Sequence, residues 1–315
     1  MKDELEMRRV LNDTLIELSK TNDKIVVIES DLQSCHLTNK FFGKEYPDRV
    51  INVGIAEANM IGVAAGMSTM GKIPFALSFG PFATRRCYDQ IFISVAYAKQ
   101  NVKIVGSDPG VTAEANGGTH MPFEDMAIMR AVPTMICFEP TDAAQFKAAI
   151  PQIVEHYGPV YIRMFRKQAE QVFCDECMKD FNLGKASKVK DGKDVTIFAS
   201  GIMVSRAVEA AELLKAEGID AAVSNLHTWK PIDEEAIEEA AKKTGAIVTA
   251  ENHNIIGGLY SAVAEVVAKK CLVPVEAVGV NDEFGQVGKN PYLSEVYHLT
   301  TADIVAAAKK AVARK

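Results

Sequence analysis

Several features that assign many proteins to a class at first sight are missing from this sequence. Nowhere do about 18 apolar residues run unbroken, as a membrane-spanning helix needs, and the first residues lack the apolar core of a secretion signal. The 41 acidic residues outnumber the 35 basic residues, and the basic residues form no continuous stripe along the sequence. Nucleic acid is therefore disfavoured as the main partner. These absences predict a soluble, uncleaved, cytoplasmic protein and leave small metabolites open as ligands.

The cysteines are too few and too scattered to stabilise a fold of this size through disulfide bonds. The six cysteines fit free thiols in a reducing compartment. Cys174 and Cys177 form one C-x-x-C, but no second pair and no nearby histidine completes a zinc set. We therefore assign no function to this pair.

The length and the apolar content predict two domains. With 315 residues, 48% of them hydrophobic, the chain can bury two ordinary cores. Strand-like and helix-like segments alternate over residues 1–166, which predicts a parallel sheet with helices on both faces. The periodicity fades over 167–193, which we interpret as a polar linker. A second, smaller α/β domain is predicted for 194–315.

One acidic residue lies on an otherwise apolar helix. Glu57, in the run Gly54-Ile-Ala-Glu-Ala-Asn-Met60, follows a short predicted strand and begins a helix that extends to about Met70. An acidic residue in a first helical turn is ordinarily a surface residue that complements the helix dipole. This helix carries no other charge before Lys72, so we expect it to be buried. A buried carboxyl must be protonated, paired or used in chemistry.

A long loop carries the second group of unusual residues. It leaves the carboxyl end of a predicted strand after Gly106, which is where open α/β sheets place their ligands, and loops of this length are usually functional or disordered. Gly117 and Gly118 suit a backbone that approaches something closely, just ahead of His120. Earlier in the chain, the run Phe79-Gly-Pro-Phe82 places two aromatic residues at a strand-to-helix transition, where core packing is the ordinary explanation.

Taken in order, the stretches 54–60, 79–82 and 117–120 resemble the pyrimidine-binding domain of transketolase. Downstream, the stretches 226–233, 251–253 and 257–265 resemble the C-terminal domain of the same family. The likeness covers essentially the whole chain. It implies an α/β fold in which a pyrimidine-type, thiamine-diphosphate-binding domain with a parallel sheet precedes a transketolase C-terminal-like domain.

The resemblance implies transfer of a two-carbon ketol unit from an anionic ketose to an aldose with thiamine diphosphate. A carboxyl at Glu57 hydrogen-bonds a pyrimidine ring nitrogen, so that the exocyclic amine can remove the thiazolium proton. His120 stabilises the developing oxyanion, and Arg166 holds the terminal phosphate of the substrate. The remaining cofactor contacts are assigned to four residues: Phe79, Phe82, Asp31 and Arg86.

The motif with which thiamine enzymes hold the diphosphate and its metal is missing, because no Gly-Asp-Gly occurs in the chain. The sequence therefore resembles the C-terminal half of a split transketolase. The resemblance implies a separate N-terminal subunit that carries Gly-Asp-Gly and holds most of the contacts to Mg²⁺ or Ca²⁺. We expect an α2β2 assembly with the cofactor between subunits and no metal ligand in this chain.

Three positions depart from the pattern of sugar-phosphate transketolases. Asp108 lies where the family usually carries a histidine, and Asn116 lies where it usually carries an aspartate that binds a substrate hydroxyl. Cys35 lies near the family's phosphate-contacting serine, although a slip of one residue would restore Ser34. Exchanging a neutral or cationic donor for a carboxylate changes which hydroxyls and anions a channel accepts. We therefore expect a nonstandard ketose with an anionic end, such as a branched or deoxy sugar phosphate or a sulfo-sugar.

Three alternatives remain at this point. Deoxyxylulose phosphate synthase has a similar carboxylate and loop histidine, but it is ordinarily one chain with its own diphosphate motif. The beta subunit of a 2-oxoacid dehydrogenase is comparable in size and architecture. A noncatalytic thiamine-fold subunit would leave Glu57 and His120 without a purpose.

Overall fold

The computed structural model describes residues 2–315, and these residues form two β-sheets. In chain order the strands are β1 (Ile25–Glu29), β2 (Val50–Asn52), β3 (Ile73–Phe79), β4 (Lys103–Ser107), β5 (Ile136–Phe138), β6 (Val160–Met164), β7 (Ser187–Lys190), β8 (Val195–Ala199), β9 (Ala221–Asn225), β10 (Thr228–Lys230), β11 (Ile247–Asn254) and β12 (Val275–Val280).

The helices occupy the connections between these strands. In chain order they are α1 (Met7–Ser19), α2 (Gln33–His36), α3 (Phe42–Glu45), α4 (Glu57–Thr69), α5 (Gly80–Ala83), α6 (Tyr88–Gln90), α7 (Asp125–Ala131), α8 (Ala143–Glu155), α9 (Met203–Ala216), α10 (Glu234–Thr244), α11 (Leu259–Lys270), α12 (Asn290–Val296) and α13 (Thr301–Ala313). Within residues 2–315, no helix is both long and apolar enough to cross a bilayer.

The first sheet has the order β10-β5-β6-β4-β3-β1-β2 and is parallel except for β10. All residues of β1, β3, β4 and β6 are buried, because helices cover both faces of the sheet. One face packs against α1 and α8, and the other packs against α4 and α7. The predicted doubly covered parallel sheet is confirmed.

The second sheet has the order β12-β11-β8-β9-β7, with β7 antiparallel to β9 and the other pairs parallel. Helices α9 and α13 pack on one face together with the loop residues Val111, Met121 and Phe123. The long loop of the first sheet therefore contributes to the core of the second one.

The connecting segment 167–193, predicted to be a polar linker, is packed in the structure. Phe173, Phe181 and Leu183 are buried in the core beneath α8, and the carboxylate of Asp142 accepts hydrogen bonds from two backbone N–H groups of the segment. The segment also supplies β7. Its polar sequence conceals a strand because β7 is a short edge strand whose side chains are only partly buried.

Cys174 and Cys177 lie in this segment and are joined by a disulfide, with their Cα atoms 5.1 Å apart. The expectation of six free thiols is therefore wrong for this pair, which lies on the exposed surface of the segment. The other four cysteines are free.

The helix predicted after Phe79 is broken into short pieces. Helix α5 ends at Ala83, a 3-10 turn covers Arg85–Cys87, α6 follows, and a π-helix covers Ile91–Tyr97. The break falls at Thr84, whose backbone (φ −120°, ψ −88°) leaves the helical region and whose hydroxyl donates to the Gly80 carbonyl at 2.7 Å. Irregular helix of this kind often occurs at functional sites.

A buried arginine joins the two halves of the chain. The Arg163 guanidinium donates to the carboxylates of Asp125 at 2.8 Å and Glu139 at 2.5 Å, and to the Asn252 carbonyl of β11 at 2.9 Å. None of the three charged side chains is more than 3% exposed. Burial alone would raise the pKa of Asp125, but the Arg163 charge holds that pKa below its ordinary value.

Replacing Arg163 by methionine should destabilise the fold strongly, because it leaves two carboxylates buried without their cation. We expect Arg163→Met to lower the free energy of unfolding by about 3–5 kcal/mol, measured by urea denaturation. The matched control is Lys147→Met, since Lys147 forms an exposed pair with Asp175 and should change stability by less than about 1 kcal/mol. Equal stability of the two variants would contradict the role assigned to Arg163.

Candidate active site

The residues singled out in the sequence converge at the carboxyl edge of the first sheet. Asp31 lies two residues after β1, Phe79 ends β3, Asp108 directly follows β4, and Arg166 lies two residues after β6. Glu57 begins the helix that follows β2. The parallel strands end on the same edge, so side chains from five separate segments meet there.

Glu57 is buried, as predicted, and its carboxylate is paired. Its side chain is 4% exposed, and Arg86 Nη1 donates to Glu57 Oε1 at 2.8 Å. No hydrogen bond to Glu57 Oε2 is formed within residues 2–315. Arg86 is 45% exposed, and its Cζ atom lies 3.8 Å from the centroid of the Phe82 ring. Behind the pair, burial raises the pKa of the Cys87 thiol to about 12, so this thiol stays neutral and unreactive.

Three aromatic rings form one wall of the site. The His120 ring meets the Phe82 ring edge-on at 4.9 Å and the Phe79 ring at 5.6 Å, measured between centroids. The Phe79 and Phe82 centroids are 6.3 Å apart. Thr119 Oγ1 lies 2.8 Å from His120 Nδ1, whereas Nε2 has no hydrogen-bond partner in the described part of the chain. This ring nitrogen is therefore available to a ligand.

Arg166 and Asp108 form an ion pair at the far end of the wall. Arg166 Nε lies 3.1 Å from the Asp108 carboxylate, and Arg166 Cζ lies 5.6 Å from the Phe79 centroid. Burial raises the pKa of Asp108, and the charges of Arg166 and His36 oppose that rise only in part. Asp108 also has a left-handed backbone (φ 58°), which non-glycine residues rarely adopt outside special sites.

The three other predicted residues occupy different positions around this wall. Asp31 also has a left-handed backbone, and Asn52 bridges it to the Gly54 amide that precedes Glu57. Cys35 contributes its carbonyl, which accepts from Arg8 Nη1 at 2.7 Å. Asn116 is exposed, and its side chain forms no hydrogen bond with any of residues 2–315.

The sequence analysis missed two cationic or basic residues beside the ion pair. The Arg8 amide donates to the Arg166 carbonyl at 3.2 Å, so both arginines lie at the same corner. His36 is fully buried, with Nε2 3.0 Å from the hydroxyl of Ser107, the residue before Asp108. Neither residue has a local sequence signal, because each contact joins positions at least 71 residues apart in the chain. Asn52 was also missed, although it has a local signal, because it is a polar residue that ends a strand just before Gly54.

The loop that carries His120 is held by the second half of the chain. Asn252 Oδ1 accepts from the Val111 amide and Asn252 Nδ2 donates to the Pro109 carbonyl, both at 2.9 Å. A Cβ atom on Gly118 would lie 2.2 Å from the carbonyl oxygen of Gly285. The close approach expected of the paired glycines is thus an approach to the second domain.

These residues fit the pyrimidine part of a thiamine cofactor. A carboxylate with one oxygen free can hold a proton at a ring nitrogen, and the wall of Phe79 and Phe82 can pack against a flat heterocycle. The same residues do not suit a metal ion. Within residues 2–315, no cluster of three or more His, Cys, Asp and Glu side chains could hold one.

Comparison with known proteins gives matches over almost the whole chain. The family model "Transketolase, pyrimidine binding domain" matches residues 3–171, and "Transketolase, C-terminal domain" matches residues 184–304. The chain is 53% identical over 309 residues to the 6-deoxy-6-sulfo-D-fructose transketolase subunit SqwH of Clostridium sp. (strain MSTE9), covering 98% of this chain and 95% of that protein.

Two further matches are described as a transketolase subunit and as a split-gene transketolase. The chain is 37% identical over 276 residues to an apulose-4-phosphate transketolase subunit from Phocaeicola vulgatus, with 88% of each protein covered. Among solved structures, "Split gene transketolase, inactive beta4 tetramer" superposes with a TM-score of 0.91 at 45% identity, over 99% of this chain and 100% of that one.

A methyl group on Gly118 should disturb the contact between the His120 loop and the second domain. We expect Gly118→Ala to lower the free energy of unfolding by about 1–3 kcal/mol, because the new methyl group would clash with a backbone oxygen rather than with the end of a flexible side chain. Urea denaturation measures the change. Gly184→Ala is the matched control, since its new Cβ would meet nothing closer than 3.6 Å. If both variants were as stable as the unchanged chain, the contact would not constrain the loop.

Proposed function

Because this chain belongs to the transketolase family, we propose that it is the C-terminal subunit of a two-chain transketolase whose donor is a nonstandard ketose with an anionic end. The family depends on thiamine diphosphate, which supplies the electron sink that allows the carbon–carbon bond beside a ketose carbonyl to break and re-form. The observation that carries the proposal is an unbroken series of contacts along the site, which runs through Glu57, Arg86, Phe82, His120, Phe79, Arg166 and Asp108.

Glu57 and Arg86 work at the cofactor end of this series. Arg86 occupies Glu57 Oε1, so Oε2 is the oxygen that holds the proton at the pyrimidine ring nitrogen. Phe82 and Phe79 exclude water from one side of the ring. Low water content strengthens the interaction between the carboxylate and the ring nitrogen.

His120 and Arg166 work at the substrate end. His120 Nε2 is placed to donate to the oxygen of the reacting carbonyl, where negative charge develops. Its orientation is set by Thr119 at Nδ1 and by the two phenylalanine rings. Arg166 uses Nε for Asp108, which leaves its two terminal nitrogens for the anionic end of the sugar.

The site needs a second subunit to close it. Arg86, Phe82 and His120 are all partly exposed. The neighbouring surface is apolar: Ile55, two residues before Glu57, is 77% exposed, and a Cβ atom on Gly62 of the same helix as Glu57 would meet no atom within 4 Å.

The occupant of this surface is an N-terminal transketolase subunit in an α2β2 assembly. It carries the Gly-Asp-Gly motif that this chain lacks and holds the diphosphate with its divalent cation, Mg²⁺ or Ca²⁺. A related split transketolase chain, solved as a tetramer of beta subunits alone, is described as inactive, which supports this dependence.

The charge balance at the substrate end favours a donor with a single negative charge. Arg166 is paired with Asp108, and Arg8 is paired with Glu6 at 2.8 Å, so the pocket carries little net positive charge. A phosphate monoester carries about −1.5 to −2 at pH 7, whereas a sulfonate carries one charge. One relative acts on 6-deoxy-6-sulfo-D-fructose and another on apulose 4-phosphate. A sulfonated ketose is the first candidate donor, and a branched or deoxy sugar phosphate is the second.

Affinity purification of a tagged copy from its own cells, followed by native mass spectrometry, tests the assembly. We expect two copies of this chain with two copies of a subunit that carries Gly-Asp-Gly, together with thiamine diphosphate. Recovery of this chain as a homo-oligomer loaded with the cofactor would contradict the proposal.

Glu57→Gln should leave that assembly intact and abolish most of its activity. We expect kcat to fall by about 10²–10⁴-fold, because the amide cannot exchange a proton with the pyrimidine ring. Glu234→Gln is the matched control, since Glu234 also begins a helix but is exposed and should leave kcat unchanged. Full activity of Glu57→Gln would favour a noncatalytic role for this chain.

Asp108→Asn should shift the donor preference toward phosphate esters. Removal of the carboxylate charge leaves Arg166 with its full positive charge, so the kcat/KM ratio of phosphorylated to sulfonated ketoses should rise about tenfold, equivalent to about 1.4 kcal/mol. Asp13→Asn, which alters an exposed pair with Arg9, should leave the ratio unchanged. An unchanged ratio in Asp108→Asn would remove Asp108 from the basis of specificity.

A further inference from the structure

A line of buried polar groups extends from the core of the first sheet to the Asp108–Arg166 pair. His36 Nδ1 lies 2.9 Å from Glu29 Oε2, and His36 Nε2 lies 3.0 Å from Ser107 Oγ. Ser107 Oγ lies 3.4 Å from Asp108 Oδ2. Glu29, His36 and Ser107 are fully buried. The proposed reaction assigns no task to any of these three residues.

The number of available protons decides which way these hydrogen bonds run. Ser107 has one hydroxyl proton and two neighbours that could accept it, His36 Nε2 and Asp108 Oδ2. If His36 carried a single proton on Nδ1, Nε2 would compete with Asp108 for the Ser107 proton. If both ring nitrogens carry protons, His36 donates to Glu29 and to Ser107, and the Ser107 proton is left for Asp108.

The charges along the line favour the second arrangement. Glu29 is completely buried, and its side-chain partners are Thr38 Oγ1, which donates at 2.8 Å, and His36. A buried carboxylate without a cation is costly, and a doubly protonated His36 supplies that cation. The charges then alternate from Glu29 through His36 and Asp108 to Arg166.

This arrangement would fix the direction of the Arg166 guanidinium. The Asp108 backbone is left-handed, and its amide donates to the Met164 carbonyl at 3.1 Å, so the start of its side chain is already set. Ser107 and Arg166 then hold the carboxylate from two sides. The terminal nitrogens of Arg166 form no hydrogen bond with any of residues 2–315 and are free to bind an anion.

We propose that His36 is a positioning residue: with protons on both ring nitrogens it holds Ser107 and Asp108, and through them it aims Arg166 at the anionic end of the donor sugar. The inference rests on the proposed function, because it concerns the same substrate. It makes the affinity for charged donors depend on a histidine that never touches the substrate.

The test compares charged and uncharged donors in the complete two-subunit enzyme. Ser107→Ala removes the middle link and leaves the pair of His36 with Glu29 intact. We expect KM for the sulfonated or phosphorylated donor to rise about tenfold, the usual loss when a hydrogen bond to a charged group is removed, while kcat changes less than twofold. With erythrulose, a ketose without an anionic end, kcat/KM should equal that of the unchanged enzyme. His36→Gln, which keeps one donor, should show the same split between donors.

Ser78→Ala is the matched control. Ser78 is a buried strand residue whose hydroxyl accepts from Ser30 at 2.8 Å, and within residues 2–315 its side chain forms no hydrogen bond with Glu29, His36, Ser107 or Asp108. It should leave KM for both donors unchanged. An equal loss with charged and uncharged donors in Ser107→Ala would show a merely structural role and overturn the inference. Absence of ketol transfer in the unchanged complex would instead count against the proposed function.

A spectroscopic measurement tests the protonation of His36 without any substrate. The ¹⁵N resonances of the full chain should include one histidine with protons on both ring nitrogens that disappears in His36→Gln. If the resonances lost in His36→Gln belonged to a ring with one unprotonated nitrogen, the inference would be wrong.

Discussion

The buried guanidinium of Arg163 is the interaction on which the rest of the structure depends. It lies in the strand that ends just before Arg166, and it binds carboxylates from two connections of the first sheet and a carbonyl from the second. Two buried carboxylates share one cation, so burial leaves the pKa of Glu139 above its ordinary value while that of Asp125 lies below it. The interface between the domains at Arg163 is therefore formed by directional polar contacts. Such contacts fix the relative orientation of the domains more precisely than apolar packing alone.

The loop that carries His120 is held by residues of the same domain interface. Asn252, whose carbonyl binds Arg163, uses its side chain to hold the start of the His120 loop, and Gly285 packs against the loop's end. The second domain thus positions His120 without contributing a side chain to the site. Paired glycines precede the histidine because a Cβ atom at either position would meet an atom of the second domain at 2.8 Å or less.

Much of the site could be predicted from the sequence because its residues follow strand ends. Phe79 ends β3 and Phe82 follows it, Glu57 begins the helix after β2, and His120 lies in the loop after β4. Parallel strands bring their ends to one edge whatever their separation in sequence. Arg8 and His36 could not be found in this way, because their positions depend on contacts between distant segments. The strand within the segment 167–193 could not be predicted for a different reason. An edge strand with polar side chains has no clear hydrophobic periodicity. Residues 187–190 are recognisable as a strand only from their pairing with β9 in the folded structure.

The position of β10 in the first sheet affects whether the two halves of this polypeptide could exist as separate chains. The strand belongs in sequence to the second half but completes the edge of the first sheet, antiparallel to β5. If the chain were cut within the segment 167–193, the first fragment would expose the edge of β5. The second fragment would carry β10 without its partner strand, and the buried side chain of Trp229 would become exposed to solvent. Separation of the halves by gene fission between them is thus disfavoured, because each half would expose surface that the other half buries.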